Sequence, residues 1–507
     1  MRFAYLTLLI AGCVSCSVSK NTAGNKSDTN PISFADNVIV AHRGAWKKSN
    51  LPENSIAALK QAIALKCTGS EFDVRMTADD SLVINHDPHY NNLSIEKTTY
   101  AALLAFKLSN GEKLPTLREY IVAGMDNNNA TRLVCEIKPS ETSIERGKAI
   151  AVKVVQLVQE LNAGHLVGYI SFDYDILQKI VAINPAAGTQ YLEGNKTPEQ
   201  LKADGISGAD YHFSVFKNHP EWIEMAKQNN IALNAWTVNE AADMDWLLAY
   251  GFDFITTNEP ELLLKRMELS PVSNGWKLTW SDEFNYKGLP DSSKWGYNVG
   301  GHGWGNNELQ FYTEKDTSTA IVANGYLKIT VRKQKKENRE YTSARLLTKN
   351  KADFKYGRIE ARAKIPASVG TWPAIWMLGS NIDKAGWPAC GEIDIMEHRG
   401  MELNKIFGTL HYPGHSGGNA DGKTINISTA TTAFHDYAVE WDAKEIRIYA
   451  DNELFHRVAN NDSVPFNHSF FILLNIAIGG NFGGKPDPLF SMDAMEIDYI
   501  RVFKKEQ

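Results

Sequence analysis

The hydrophobic pattern of this chain changes period once, near residue 270, and that change limits the fold more than any single motif. From residue 36 to about 265, apolar runs of strand length alternate with amphipathic runs of helix length. The strand-like runs are 38–42, 71–74, 133–138, 167–171, 188–192, 209–213, 231–236 and 252–256. Between most of them lie amphipathic stretches at 55–65, 144–161, 220–228 and 240–250. Eight strands with intervening helices predict a (β/α)8 TIM barrel over 36–266. Residues 81–86 add a strand beside the second one, through a turn at 77–80. A short polar break at 270–275 follows. Beyond it, helical periodicity is scarce, and many short strands punctuated by Gly and Asn predict an all-β jelly-roll sandwich over 275–507. A chain of 507 residues has room for both domains.

Each half carries its own cluster of acids. In the first half, polar residues gather where strands end: His42 and Arg43, Glu71 and Asp73, His86 and Asp87, Glu136 and Lys138, and Trp236. The C-terminal rim of a barrel is where its active site forms. Glu71, Asp73 and Glu136 suit a hard divalent cation, Mg²⁺ or Ca²⁺, which prefers oxygen ligands. Arg43 and Lys138 suit an anionic, phosphate-like substrate. His42 and His86 can act as general base and acid. Together these groups point to metal-assisted hydrolysis of a phosphodiester.

In the second half, Gly391–Glu397 places Glu392, Asp394 and Glu397 within six residues. A regular strand would send Glu397 to the face opposite Glu392 and Asp394. One extra residue, a bulge at Ile395 or Met396, returns it to their face. Three acids on one face repel each other, and a structural core has no use for them. A glycosidase does, because it sets an ionised and a protonated carboxyl across one glycosidic bond.

The net charge of −6 argues against a nucleic-acid partner. Arg2 followed by the apolar run 3–12 reads as an export signal too short to span a bilayer. It ends Ile10-Ala11-Gly12-Cys13, which resembles the lipobox of bacterial lipoproteins. That resemblance implies cleavage before Cys13, lipidation of its thiol and a membrane-anchored, exported protein. Residues 1–12 are then the signal and 13–35 a polar tether. Only Cys67, Cys135 and Cys390 remain in the body of the chain, which is neither a disulfide framework nor a zinc pattern.

The motifs of the first half occur in a fixed order: His42-Arg43-Gly44, Pro52-Glu53-Asn54, Glu71-x-Asp73, His86-Asp87, Leu114-Pro115-Thr116-Leu117, Glu136-Ile137-Lys138 and Trp236-Thr237-Val238-Asn239. This resembles the glycerophosphodiester phosphodiesterase family. The resemblance implies a metal at Glu71, Asp73 and Glu136, with Glu53 nearby. It also implies His42 and His86 as the acid–base pair and Arg43 on the phosphate. The loop from His42 to Glu53, with Trp46, Lys47 and Lys48, is slightly longer than usual and borders the site.

The second half resembles the family-sixteen glycoside hydrolases. The Met within the triple-acid motif resembles their laminarinase-like β-1,3-glucanases, as do the segments Asn306–Gln310, Tyr341–Arg345 and Asn475–Gly480. This implies Glu392 as nucleophile, Glu397 as acid/base and Asp394 tuning both, in a retaining reaction. Trp372 and Trp376 are expected to stack on sugars, and Asn307, Glu308, Arg345 and His411 to bind hydroxyls. Glu283, Gly325 and Asp498 match the family's positions for a structural Ca²⁺. The implied partners are β-glucan and glycerophosphodiesters, in one bifunctional hydrolase. A shared substrate, a β-glucan carrying phosphoglycerol groups, is one way to explain the fusion. Rival readings are a binding protein without turnover, or a mixed-linkage glucan or galactan as the polysaccharide. None of the catalytic acids or histidines is missing, which favours the enzyme.

Overall fold

The computed structural model describes residues 34–505. The expected signal, Cys13 and nearly all of the tether lie outside the described residues. Eight parallel strands close into a barrel: Ile39–Ala41, Gly69–Met76, Arg132–Ile137, Val167–Ser171, Thr189–Tyr191, Gly208–His212, Ala232–Trp236 and Phe254–Thr257. Closure comes from Ile39–Ala41, which pairs with Phe254–Thr257 on one side and Gly69–Met76 on the other. The extra strand, Leu82–Ile84, runs antiparallel to Gly69–Met76.

Local chemistry starts the helices where the pattern predicts. The Ser55 side chain accepts from the Ala58 amide at the head of helix Ile56–Ala64. Thr116 and Glu119 form a reciprocal capping box on Leu117–Met125. Strand Gly69–Met76 is buried along its whole length, as expected of a parallel strand covered on both faces. Its register aligns Asp73 with Glu136 on the neighbouring strand, so both acids reach the same barrel end. Gly44 makes the adjoining turn possible. Its φ is +83°, and a Cβ there would lie 2.7 Å from Ala58.

Helix Pro260–Leu269 ends the barrel, and strand Trp276–Asp282 begins the second domain. That domain is a sandwich of mainly antiparallel strands. One layer runs in the order Asp421–Asn426, Lys405–His411, Glu392–Glu397, Thr371–Gly379, Phe470–Ile478 and Arg339–Leu347. The other contains Tyr326–Lys336, Met492–Lys505, Gly357–Lys364, His435–Trp441, Glu445–Ala450 and Glu453–Ala459. Ile393, Ile395, Met396, Ile446, Ile472 and Ile500 are among the residues that fill the space between the layers. Several strands went unpredicted, among them Gln310–Thr313, Ala320–Ala323, Asp421–Asn426 and Glu453–Ala459. Asp421–Asn426 is an edge strand with no buried residue, so it carries no apolar alternation to read.

The barrel docks on the layer that does not carry Glu392. Trp276 packs with Ala249 and Phe503, and the Tyr250 and Ser281 hydroxyls meet at 2.8 Å. Asp245 and Arg266 of the barrel line a cleft with Glu360, Asp436 and Tyr499 of the sandwich. Tyr250 leads into the N-terminal end of strand Phe254–Thr257. Each domain therefore turns its acid cluster away from this contact.

Candidate active sites

In the barrel, Glu71, Asp73 and Glu136 are 2 %, 0 % and 6 % exposed. One oxygen from each falls within 4.8 Å of the others. Asn54, held at φ +59°, donates to Asp73 Oδ2 at 2.7 Å, and the Arg43 amide donates to Glu71 Oε2 at 2.8 Å. Glu71 Oε1 has no hydrogen-bond partner. Burial pushes the Glu71 carboxyl well up, helped by Asp73 and Glu136. Burial and Asp73 push Glu136 up to about 7. Burial also pushes on Asp73, but Lys138, His86, Asn54 and Arg43 outweigh it and hold that carboxyl at about 2. Lys138 and the Arg43 guanidinium, 3.7 Å from Asp73, do not suffice to hold all three buried acids ionised, and a cation would supply the charge that is lacking. The orphaned oxygen and the all-oxygen donor set fit a hard divalent cation.

The histidines expected as acid and base flank this cluster. His42 Nδ1 meets Asn258 Oδ1 at 2.8 Å, so the hydrogen sits on Nδ1 and Nε2 is left bare, 3.9 Å from Glu71. Burial and the Arg43 charge lower its pKa to about 4, so it is neutral at pH 7 and ready to accept a proton. His86 Nδ1 is 2.7 Å from Asp87. Lys138, expected on the phosphate, is committed first to the acids, at 2.9 Å from Asp73 and 2.7 Å from Glu136. Arg43 pairs with Glu53 at 2.9 Å. Trp236 lines the same cavity, with Phe172 edge-on at 5.3 Å between ring centroids. Sequence reasoning left out Asn258 and Asp210. Asp210 lines this cavity while almost wholly buried, and burial raises its carboxyl well above the usual range.

In the sandwich, strand Glu392–Glu397 is bulged as its motif requires. Against Thr371–Gly379, Asp394 pairs with Trp376 and Met396 with Ile375, which skips Ile395. Against Lys405–His411 the register also breaks between Asp394 and Glu397. Gly391 precedes the strand at φ +75°, where a Cβ would lie 2.6 Å from the Pro465 carbonyl oxygen. Ile393, Ile395 and Met396 enter the core, and the three acids face the other way.

Burial and Asp394 push Glu392 up to about 8. Burial and Glu397 push Asp394 well up, and burial raises Glu397. The three carboxyls therefore do not all ionise at neutral pH. Their surroundings decide which stays charged. Glu392 receives a hydrogen bond from Trp387 Nε1 at 3.1 Å, and His411 and Arg345 favour its anion. Asp394 Oδ2 has no neighbouring donor other than His411 Nε2, at 3.3 Å. Protonating Asp394 removes its push on Glu392. Glu397 Oε1 accepts from Trp372 Nε1 at 2.9 Å.

Glu392, Asp394 and His411 also lie close enough to hold a metal. The His411 tautomer argues against one. The Gly417 amide donates to Nδ1 at 3.2 Å, so Nε2 carries the hydrogen and turns it toward Asp394 at 3.3 Å. A ring nitrogen that donates is not a ligand.

Three expectations need correction. Trp376 is only 9 % exposed, with its indole N–H on Asn475 and the Arg345 guanidinium over its ring at 4.7 Å, so it offers no open platform to a sugar. Arg345 lies between Trp376 and Trp304, each at 4.7 Å. Glu308 is buried and accepts from Gln310 at 2.6 Å and Tyr312 at 3.2 Å, so it orders the cleft wall more than it meets solvent. Asn307 is exposed and ties its loop to Asn481 at 2.9 Å. Finally, the calcium positions do not fit as they stand. Arg501 grips Glu283 through two hydrogen bonds of 2.9 and 2.8 Å, and Arg362 meets Asp498 at 3.2 Å. Guanidinium groups already meet both carboxylate charges, while Gly325 simply makes a turn at φ +81°. Trp387 and Trp304 escaped prediction. Trp387 is 49 % exposed beside Glu392 and stands five residues before it.

Comparison with known proteins follows the same division. The model of the glycerophosphoryl diester phosphodiesterase family matches residues 42–262. That of glycosyl hydrolases family 16 matches 307–501. A third, for beta-glucan synthesis-associated proteins of the SKN1/KRE6/Sbg1 type, matches 211–393 across the domain boundary. A beta-glucanase of Rhodothermus marinus is 46 % identical over 244 residues, which is 45 % of this chain and 85 % of that protein. A glucan endo-1,3-beta-glucosidase of Cryptopygus antarcticus is 36 % identical over 250 residues, covering 45 % and 91 %. The solved laminarinase of Rhodothermus marinus is 46 % identical, with 46 % of this chain and 98 % of that chain covered at a TM-score of 0.45. The chain thus belongs to glycosyl hydrolases family 16 through its second domain, while its first domain matches the model of the glycerophosphoryl diester phosphodiesterase family.

Proposed function

We propose that this protein is a bifunctional hydrolase. The barrel hydrolyses glycerophosphodiesters to glycerol phosphate and an alcohol with a bound divalent cation. The sandwich cuts β-1,3-glucan internally with retention. The observation that carries this reading is the contrast between the two acid clusters. One has an orphaned buried oxygen and an all-oxygen donor set, which suit a cation. The other faces indole and imidazole N–H groups, which suit direct acid–base work on a sugar.

In the barrel, Glu71, Asp73 and Glu136 would hold the cation, which supplies stabilisation of charge on the phosphoryl oxygens. His42 Nε2 takes a proton from the attacking oxygen, and His86 returns one to the leaving alcohol. Arg43 draws the phosphate in. In the sandwich, Glu392 attacks the anomeric carbon and Glu397 protonates the glycosidic oxygen. Glu397 then activates the water that releases the glycosyl-enzyme. Retention is supported by all three acids sitting on one short strand, since an inverting pair needs a wider gap for water.

The supporting experiment follows product stereochemistry from laminarin by NMR and release of glycerol phosphate from glycerophosphodiesters with and without chelator. An initial α-anomer would overturn retention, and chelator-resistant phosphodiester cleavage would overturn the cation. The docking geometry supports two separate turnovers, because the acid clusters face away from the domain contact. We also propose export and lipid anchoring through Cys13, on the leader sequence alone. Cys13→Ala that still partitions with membranes would refute it.

A further inference from the structure

We propose that Asp210 hydrogen-bonds a free hydroxyl of the glyceryl group assigned above, and is the residue by which this cavity tells a glyceryl phosphate from a monoalcohol phosphate. The inference rests on the phosphodiesterase reading above and adds a specificity residue to it.

The cavity at the barrel rim measures about 120 Å³. Its one side is the acid cluster with Lys138. The other is apolar, formed by Ile170, Phe172 and Leu192. Asp210 and Thr256 lie at its floor, one inward-facing step below the rim. The strand register shows the step: Asp210 pairs with Asn234, and His212 with Trp236. Trp236 covers this floor, donating from its indole to the Asp210 main-chain oxygen at 2.9 Å.

Asp210 is 1 % exposed, yet its Oδ1 has no partner. Asn234 hydrogen-bonds the carboxyl, and Thr256 in turn donates to Asn234 at 3.2 Å, so the floor is held in place. Buried polar atoms in folded proteins are nearly always paired. An orphan that lines an active-site cavity marks where a ligand's polar group goes. A hydroxyl suits it, while the apolar wall suits the carbon skeleton of the same alcohol. The cavity, about 120 Å³ and open to solvent, is on the scale of a three-carbon polyol.

The test titrates glycerol 3-phosphate and n-propyl phosphate into the full chain by calorimetry, with Mg²⁺ present, for wild type, Asp210→Asn and Asp210→Leu. Wild type is expected to bind the glyceryl ligand about tenfold or more tightly, and the variants to narrow that preference to about threefold or less. Equal binding of both ligands by wild type overturns the proposal, and this needs no variant to fold. An unchanged preference in the variants, or equal loss of both ligands, overturns it as well and gives Asp210 a purely structural role. Binding is read without turnover. Failure of the protein to cleave any phosphodiester therefore refutes the reaction assigned to the barrel and leaves this test standing.

Discussion

Replacing Trp387 by Phe keeps an aromatic ring beside Glu392 but deletes the indole N–H that reaches its Oε2 at 3.1 Å. A donor to a carboxylate stabilises the ionised form, so its loss raises the carboxyl pKa. Hydrogen bonds to charged groups contribute about 1.5–3 kcal/mol. The lower end applies here because Trp387 is 49 % exposed and water competes for the carboxylate. About 1.4 kcal/mol corresponds to one pKa unit. In the proposed retaining reaction Glu392 must be ionised to attack. The acidic limb of the kcat/KM profile for laminarin should therefore move up by about one pH unit, while the alkaline limb, set by Glu397, stays in place. Below the limb the variant should be about tenfold slower, and near the optimum the difference should shrink. The assay is initial rates at low laminarin concentration across pH. A profile lowered uniformly with an unmoved limb would refute the reasoning and reduce Trp387 to a surface for sugar.

Other consequences follow from the same structure. Asn54→Ala removes the 2.7 Å hydrogen bond to Asp73 and should weaken cation binding about tenfold by calorimetry; unchanged affinity would exclude Asn54 from the support of the cluster. Arg501→Met leaves Glu283 without its partner next to the domain contact and should lower unfolding stability by about 3 kcal/mol in urea. Added Ca²⁺ should not raise the melting temperature of wild type through Glu283 and Asp498; a rise lost in Glu283→Gln would show that those positions do bind it. Because burial and Arg43 hold His42 at about 4, its substitution by Ala should remove an ionisation near that pH from the phosphodiesterase profile rather than one near 6.5.

Much of this architecture is visible in the residue pattern, for physical reasons. Parallel strands buried on both faces leave dense apolar runs, and Val167–Ser171 was bounded from sequence alone. The spacing of Glu392, Asp394 and Glu397 required a bulge, and the register skips Ile395 to make one. What stayed hidden depends on partners distant in sequence. Trp376 has the composition of a sugar platform, and only the fold shows Arg345 on its ring and Asn475 on its nitrogen. Asp210 lies in an ordinary-looking strand, Gly208–His212, and nothing local says that its side chain enters the barrel. Arg362 and Arg501 sit far along the chain or on other strands, so their claim on Asp498 and Glu283 could not be read beside those acids.

The central claim is that two chemically distinct acid clusters run two reactions without sharing machinery. Its most direct test is a pair of variants assayed on both substrates: Glu71→Gln and Glu392→Gln, each with laminarin and with a glycerophosphodiester. The account predicts that Glu71→Gln loses phosphodiester cleavage and keeps laminarin hydrolysis, and that Glu392→Gln does the reverse. A folded variant that loses both activities, or one that loses neither, would contradict it.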